Sequence, residues 1–315
     1  MQKSIIGYTL ILAAFFTFAI FTSYTSDSKN AGTASNSESS KTEASSNELP
    51  QIIKPVNLDK SFSFAGEIFP MENFDVRERL DRELLRNTYW HSNTLLNIKK
   101  AHKYFPVIEN ILAENGVPDD FKYLSVAESD LSNAVSPAGA KGFWQFMKKT
   151  GAYYGLEINS QIDERYHLEK ATRAFCTYIK SDYKRFNNSW LMAAAAYNMG
   201  GTRLSKRIKE QRAKSYFDLN LNQETSRYVF RLVAIKEIMN NPRDFGFYAS
   251  DHEKYQPLDP GNYKEIEVNY AVASWAKFAE KHNTNYRMLK VLNPWLITPG
   301  MTNKSGTKYL VKVPL

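Results

Sequence analysis

The chain has 315 residues, 43% of them hydrophobic, with a formal net charge of +8; this suffices for one medium domain and a small second one once a leader and a linker are set aside. Lys and Arg are interleaved with Asp and Glu, with no aromatic-basic RNA motif and no zinc-ligand spacing, which argues against a nucleic-acid partner and leaves a mild attraction for anionic polymers. The single cysteine, Cys176, falls in the apolar stretch of Ala174, Phe175 and Ile179, so no intramolecular disulfide can form and the thiol reads as a small buried hydrophobe.

At the N-terminus, Lys3 precedes an uncharged apolar run from Ile5 to Phe21. Signal peptides carry about 7–15 apolar residues and spanning helices about 17–25, and this run stands at the boundary. Residues 1–21 are therefore expected to be a signal peptide or membrane anchor, and residues 22–49, dominated by Ser, Thr, Asn and Ala, a disordered linker. A tether behind such a segment puts the folded part outside the cytoplasm, anchored or secreted.

From about Phe74 to Asn241 apolar residues recur at three- and four-residue spacings. The pattern predicts helices over Val76 to Tyr89, Thr94 to Lys103, Phe105 to Asn115, Pro118 to Ser129, Gly142 to Tyr154, Leu168 to Phe186, Ser189 to Asn198 and Gln223 to Asn240. Pro118 starts one of these and Gly200-Gly201 ends another. We divide the region into an N-terminal helical extension (50–104), a compact helical domain (105–242) and a linker (243–262). Residues 263–315 read differently: strands over Tyr263 to Val268 and Tyr309 to Val313 enclose helices over Val272 to His282 and Tyr286 to Leu292. The expected fold class is mainly α, followed by a small α+β module of β-α-α-β order.

The chemistry concentrates around Glu128. It ends an apolar helix (Phe121, Leu124, Ala127) and precedes a Gly/Pro-rich loop and the aromatic run Phe143-Trp144-Gln145-Phe146. A carboxyl group against apolar surface loses hydration and has its pKa raised, as a general acid near neutral pH requires. Taken singly, Glu128 reads more readily as an ordinary exposed helix-end glutamate than as a catalytic acid. The five histidines, at positions 91, 102, 167, 252 and 282, show no metal-ligand spacing, and no phosphate loop is present; no cofactor or metal is expected.

Glu128-Ser129, the run from Gly139 to Phe146, Ala195-Ala196-Tyr197-Asn198-Met199-Gly200 and Glu224-Thr225-Ser226-Arg227-Tyr228-Val229 occur in the order and type of the catalytic domain of soluble lytic transglycosylases, family 23 of the glycoside hydrolases. The chain resembles that family across about Phe105 to Met239. The resemblance implies a lysozyme-like helical domain of the periplasmic cell envelope that acts on peptidoglycan glycan strands. It implies that Glu128 protonates the glycosidic oxygen between N-acetylmuramic acid and N-acetylglucosamine, then acts as base on the muramic acid 6-hydroxyl to leave a 1,6-anhydro end. Ser129 and Gln145 would orient sugar groups, and Tyr197, Asn198 and Tyr228 would line the cleft. Each has a structural competitor: Tyr197 and Asn198 could close a helix, Tyr228 could be core with Leu232 and Ile235, Trp144 could be core as readily as a sugar platform, and Glu224, a weak candidate, could be no more than a cap for its helix. Residues 263–315 resemble a LysM carbohydrate-binding module whose usual Gly-Asp-Thr is replaced by Asn269-Tyr270-Ala271, which leaves glycan binding and domain packing both open.

Two other functions stay in play. A goose-type muramidase would use water in place of the 6-hydroxyl and would want a second carboxylate, for which Asp130, Asp163 and Glu164 are candidates. A wall-binding protein without activity would not depend on Glu128. Protein partners, and terminal versus internal cutting, leave no mark in the sequence.

Overall fold

The computed structural model describes residues 54–258 and 260–315; the expected leader (1–21) and linker (22–49) lie outside them. Among the described residues no helix is long and apolar enough to cross a membrane.

The described chain begins with an element that the sequence pattern does not announce. β1 (Ser63–Phe64) and β2 (Glu67–Ile68) form an antiparallel hairpin pairing Ser63 with Ile68 and Phe64 with Glu67. Its turn residues Ala65 and Gly66 have φ of 51° and 83°, the backbone twist that two-residue hairpins favour. Two-residue strands are too short to show alternation, and their anchors Phe62, Phe64 and Phe69 are all buried.

Helix α1 (Phe74–Thr88) is capped by Asn73 and buries Val76, Leu80, Glu83 and Leu84 on one face. Helix α2 (His91–Glu114) replaces two predicted helices, running straight through Pro106. Pro106 lies on the exposed face, where solvent can take the carbonyl bond that proline cannot donate to. A 3-10 turn over Asp119–Phe121 leads into α3 (Lys122–Ser129).

The helix predicted from Gly142 to Tyr154 is largely absent; only α4 (Lys148–Tyr153) forms. Residues 135–146 instead make a tight turn with antiparallel bridges between Val135 and Lys141 and between Lys141 and Phe146. Gly142 and Gln145 take φ of 79° and 46°, which a right-handed helix cannot accommodate. The apolar spacing of Phe143, Trp144 and Phe146 mimicked a helical face, but those side chains point into one core from a turn.

Helices α5 (Leu168–Arg185) and α6 (Trp190–Met199) follow closely where predicted. Gly200, at φ 90°, ends α6, yet α7 (Gly201–Gln211) starts at once; the glycine pair is a corner between helices. Helix α8 (Gln223–Asn240) is capped by Asn222 and packs against α1, α3 and α6. One core joins the hairpin, the extension and the helical domain, from Phe62 to Ile235.

In the C-terminal module β3 (Tyr263–Val268) pairs antiparallel with β4 (Tyr309–Pro314), from Tyr263 opposite Pro314 to Val268 opposite Tyr309. Between them lie α9 (Trp275–Lys281) and α10 (Tyr286–Leu292). Helix α9 starts later than predicted because Val272 is bridged to Met301 and Ser274 caps the helix. The module has its own core around Trp275, Leu289, Val311 and Val313. The fold class is mainly α with this small α+β module, as expected.

Candidate active site

Glu128 occupies the last turn of α3. The helix stops at Asp130 and Leu131, both with φ of 50°, a conformation that costs about 1–2 kcal/mol for a residue with a Cβ. Helix α2 holds that turn: Asn93 and Asn97 donate to Asp130 Oδ1 at 3.0 and 2.9 Å, and Lys100 Nζ donates to the Asp130 carbonyl at 2.8 Å. Strain stored at such a point and offset by neighbours is common beside functional groups.

The Glu128 carboxyl meets α8. The hydroxyl of Tyr228, itself 1% exposed, donates to Glu128 Oε1 at 2.5 Å. Burial pushes the carboxyl up to about 7, against the Tyr228 bond and the Arg231 charge, which pull it down, and with Glu224, which pushes it further up. Glu128 therefore holds or releases a proton near neutral pH, the property a general acid and base needs. The phenols of Tyr228 and Tyr197 are driven well above their ordinary value, first by burial and then by the Glu128 charge, so both remain donors.

Tyr197, in α6, donates to the Trp144 carbonyl at 2.5 Å. Ser129 is 6% exposed, and its hydroxyl lies between the carbonyls of Ser125 and Phe143 at 3.0 and 2.9 Å. Gln145 Nε2 donates to the carbonyls of Ala134 and Gly142 at 3.1 and 2.8 Å, with no described partner on Oε1. Asn198 Oδ1 accepts from Thr225 at 2.8 Å, with no described partner on Nδ2. Glu128, Tyr228 and Tyr197 thus come together, Ser129 is bound inside the fold, and Gln145 and Asn198 each have one amide atom without a partner among the described residues. Trp144 is wholly buried, stacked on Phe175 at 3.8 Å with its Nε1 bonded to Thr172; it is core and not a sugar platform. Burial raises the Cys176 thiol to about 12, so it is inert.

A cavity of about 650 Å³ opens beside the end of α3, lined by Ala127, Asp130, Glu224, Arg231, Arg86 and Trp90 among others. Trp90 is 57% exposed there. The cavity wall is braced by Arg227, which bonds to the buried Glu83 at 2.6 Å. Of the candidate second carboxylates, Asp163 is clamped by Arg165 and Glu164 is bonded to the Glu157 N–H and Lys170. Asp130 is taken up by Asn93 and Asn97.

Three residues escaped sequence reasoning. Arg231 acts on Glu128 from one helical turn beyond Tyr228. Glu67 caps α6, accepting from Ser189 Oγ at 3.0 Å, from the Leu191 N–H at 3.1 Å and from the Trp190 N–H. Arg165 reaches the carbonyls of Gly139 and Phe146; the charged triple Asp163-Glu164-Arg165 was a visible signal, read only for its carboxylates.

Residues 105–220 match the transglycosylase SLT domain and residues 264–315 the soluble lytic transglycosylase C-terminal LysM-like domain. The chain is 31% identical over 258 residues to membrane-bound lytic murein transglycosylase D of Escherichia coli (strain K12), covering 79% of this chain and 55% of that protein. It is 24% identical over 164 residues to a putative tributyltin chloride resistance protein of Alteromonas sp. (strain M-1), covering 51% of this chain and 79% of that one. It spans about half the length of the murein transglycosylase. Among solved structures, an inactive mutant of lytic transglycosylase Slt from Pseudomonas aeruginosa aligns with TM-score 0.37 at 21% identity, over 49% of this chain and 26% of that one. The 70 kDa soluble lytic transglycosylase of Escherichia coli aligns with TM-score 0.38 at 18% identity, over the same shares. This chain is a homologue of membrane-bound lytic murein transglycosylase D that carries a transglycosylase SLT domain followed by a LysM-like domain of the soluble lytic transglycosylase C-terminal type.

Proposed function

We propose that this protein is a peptidoglycan lytic transglycosylase of the cell envelope, cleaving the β-1,4 bond between N-acetylmuramic acid and N-acetylglucosamine without water. The observation that carries this reading is a single carboxyl, raised by burial to about 7 and gripped at one oxygen by the buried Tyr228. Tyr228 occupies Oε1, so the proton resides on Oε2. Glu128 gives that proton to the glycosidic oxygen as the bond from the anomeric carbon breaks, and the substrate's own N-acetyl group stabilises the developing cation. The resulting carboxylate takes the proton of the muramic acid 6-hydroxyl, whose oxygen closes onto the anomeric carbon. Attack from within the same sugar has a high effective concentration and needs no second carboxylate. Gln145 Oε1 and Asn198 Nδ2 supply an acceptor and a donor to sugar groups, Tyr197 lines the cleft, and Ser129 steadies the turn through the Phe143 carbonyl.

The water-using alternative needs a base opposite Glu128, and Asp163 and Glu164 are engaged in ion pairs elsewhere. The glycan strand is the partner proposed, with the N-terminal segment as a membrane anchor or export signal. The test is mass spectrometry of muropeptides released from purified peptidoglycan, with Glu128→Gln as control. Fragments ending in 1,6-anhydromuramic acid and absent from the control are expected. Reducing ends bearing one added water would make the protein a hydrolase, and no release would make it a wall-binding protein.

A further inference from the structure

The loop between α4 and α5 belongs to both parts of the molecule. Ile162, 2% exposed, packs into the core of the C-terminal module and not into the helical core. The Asp163 N–H donates to the Trp295 carbonyl at 2.9 Å, and the Ile297 N–H to the Gln161 carbonyl at 3.0 Å. Gln161 Oε1 accepts from the Thr302 hydroxyl and N–H at 2.9 and 3.1 Å. A few residues on, His167 stacks on Trp295 at 5.5 Å, and Glu169 is paired with Lys312.

On its other side the same loop grips the turn that carries Gln145. Arg165, 4% exposed, is locked by Asp163 through Nε and Nη2 at 2.8 and 2.7 Å. Its Nη1 then donates to the carbonyls of Gly139 and Phe146 at 3.1 and 3.2 Å, at the two ends of the run 139–146. A Cβ on Gly142 would fall 1.9 Å from the Arg165 carbonyl oxygen, so the two backbones are in direct contact. The turn has two short bridges and three residues of positive φ, Gly139, Gly142 and Gln145, and no regular ladder of its own. Its Phe143 and Trp144 carbonyls are the atoms that receive the Ser129 and Tyr197 hydroxyls.

We infer that Arg165 is a positioning residue for the Glu128 site, and that the C-terminal module serves catalysis by fixing the Arg165 loop against the turn over residues 139–146. This rests on the reading of Glu128 and that turn as the active site. The guanidinium is a rigid planar fork with fixed donor directions, so a displaced loop carries the two carbonyls with it, and lysine cannot reproduce the fork. Misplacement of a catalytic arrangement by about 1 Å costs on the order of 10²-fold in rate.

The experiment compares the full chain with Arg165→Lys and with the milder Gln161→Ala, which removes only the bonds to Thr302. Amide hydrogen exchange over residues 139–146, kcat and KM on purified peptidoglycan, and sedimentation with insoluble peptidoglycan are read for all three. Arg165→Lys is expected to keep a cooperative melt, lose roughly tenfold or more in kcat with KM little changed, and exchange faster over 139–146. Gln161→Ala shifts both readouts in the same direction by less, and provides the test if the lysine variant fails to fold. Faster exchange confined to residues 157–167 and the module, with kcat intact, would overturn the inference. So would a Gln161→Ala protein that binds the wall more weakly and has raised KM at unchanged kcat, since the module would then be a glycan holder. A wild-type chain that releases nothing would defeat the transglycosylase reading, while the exchange measurement would still decide the coupling.

Discussion

Glu128 is expected to cost the protein stability, and Glu128→Gln should return it in a pH-dependent way. Between its ordinary 4.5 and the value of about 7 that it has in the fold, the folded chain holds a proton that the unfolded chain has lost. Stability therefore falls as pH rises through that window and levels off above it. At about 1.36 kcal/mol for each pH unit, the shift corresponds to roughly 3 kcal/mol. Glu128 is only partly buried, so solvent screening reduces the expected effect to about 1–2 kcal/mol. Glutamine has nearly the shape of the protonated acid, and Tyr228 can still donate to its carbonyl oxygen. Urea or thermal unfolding of both proteins at pH 4 and pH 8 measures the difference. Near pH 4 the two should be about equal, while at pH 8 the variant should be more stable, by roughly 4 °C in Tm. A gap of the same size at both pH values, or a variant less stable at pH 8, would refute the burial argument for the raised carboxyl.

The alkaline limb of the rate profile should fall through about pH 7 as Glu128 loses its acid proton. The Tyr228 bond pulls that carboxyl down, so Tyr228→Phe should move the limb to higher pH; movement to lower pH in muropeptide-release assays would contradict the assigned direction. Gly142→Ala meets both a φ of 79° and an oxygen 1.9 Å away, and should cost about 3 kcal/mol or more, read as a lower denaturant midpoint. Glu67→Ala leaves the first N–H groups of α6 uncapped and should cost about 1–2 kcal/mol in thermal unfolding, with little effect on the pH profile.

Much of the site is legible in the sequence because its parts lie in short runs. Glu128-Ser129 and the run from Gly139 to Phe146 stand close in the chain, and apolar periodicity places the carboxyl at a helix end. The same periodicity misleads over residues 142–147, where three aromatic residues at helical spacing fill one core from a turn. Positive φ at Gln145 carries no compositional sign; glutamine suits that position because its amide closes the turn on itself. In α2 the two shorter helices expected over Thr94 to Lys103 and Phe105 to Asn115 are one, and Pro106 on a solvent-facing side leaves it intact.

The sequence by itself determined the helical class, the β-α-α-β module and the position of α8, because local spacing and capping are written in neighbouring residues, and its ordered motifs singled out Glu128 as the candidate acid. Only the tertiary structure decided that Tyr228, a hundred residues further on, holds the Glu128 carboxyl, that Trp144 is core and not platform, and that Arg165 ties the C-terminal module to the motif turn. Those relations depend on desolvation and on hydrogen bonds between distant segments, whose geometry exists only once the core has closed and excluded water.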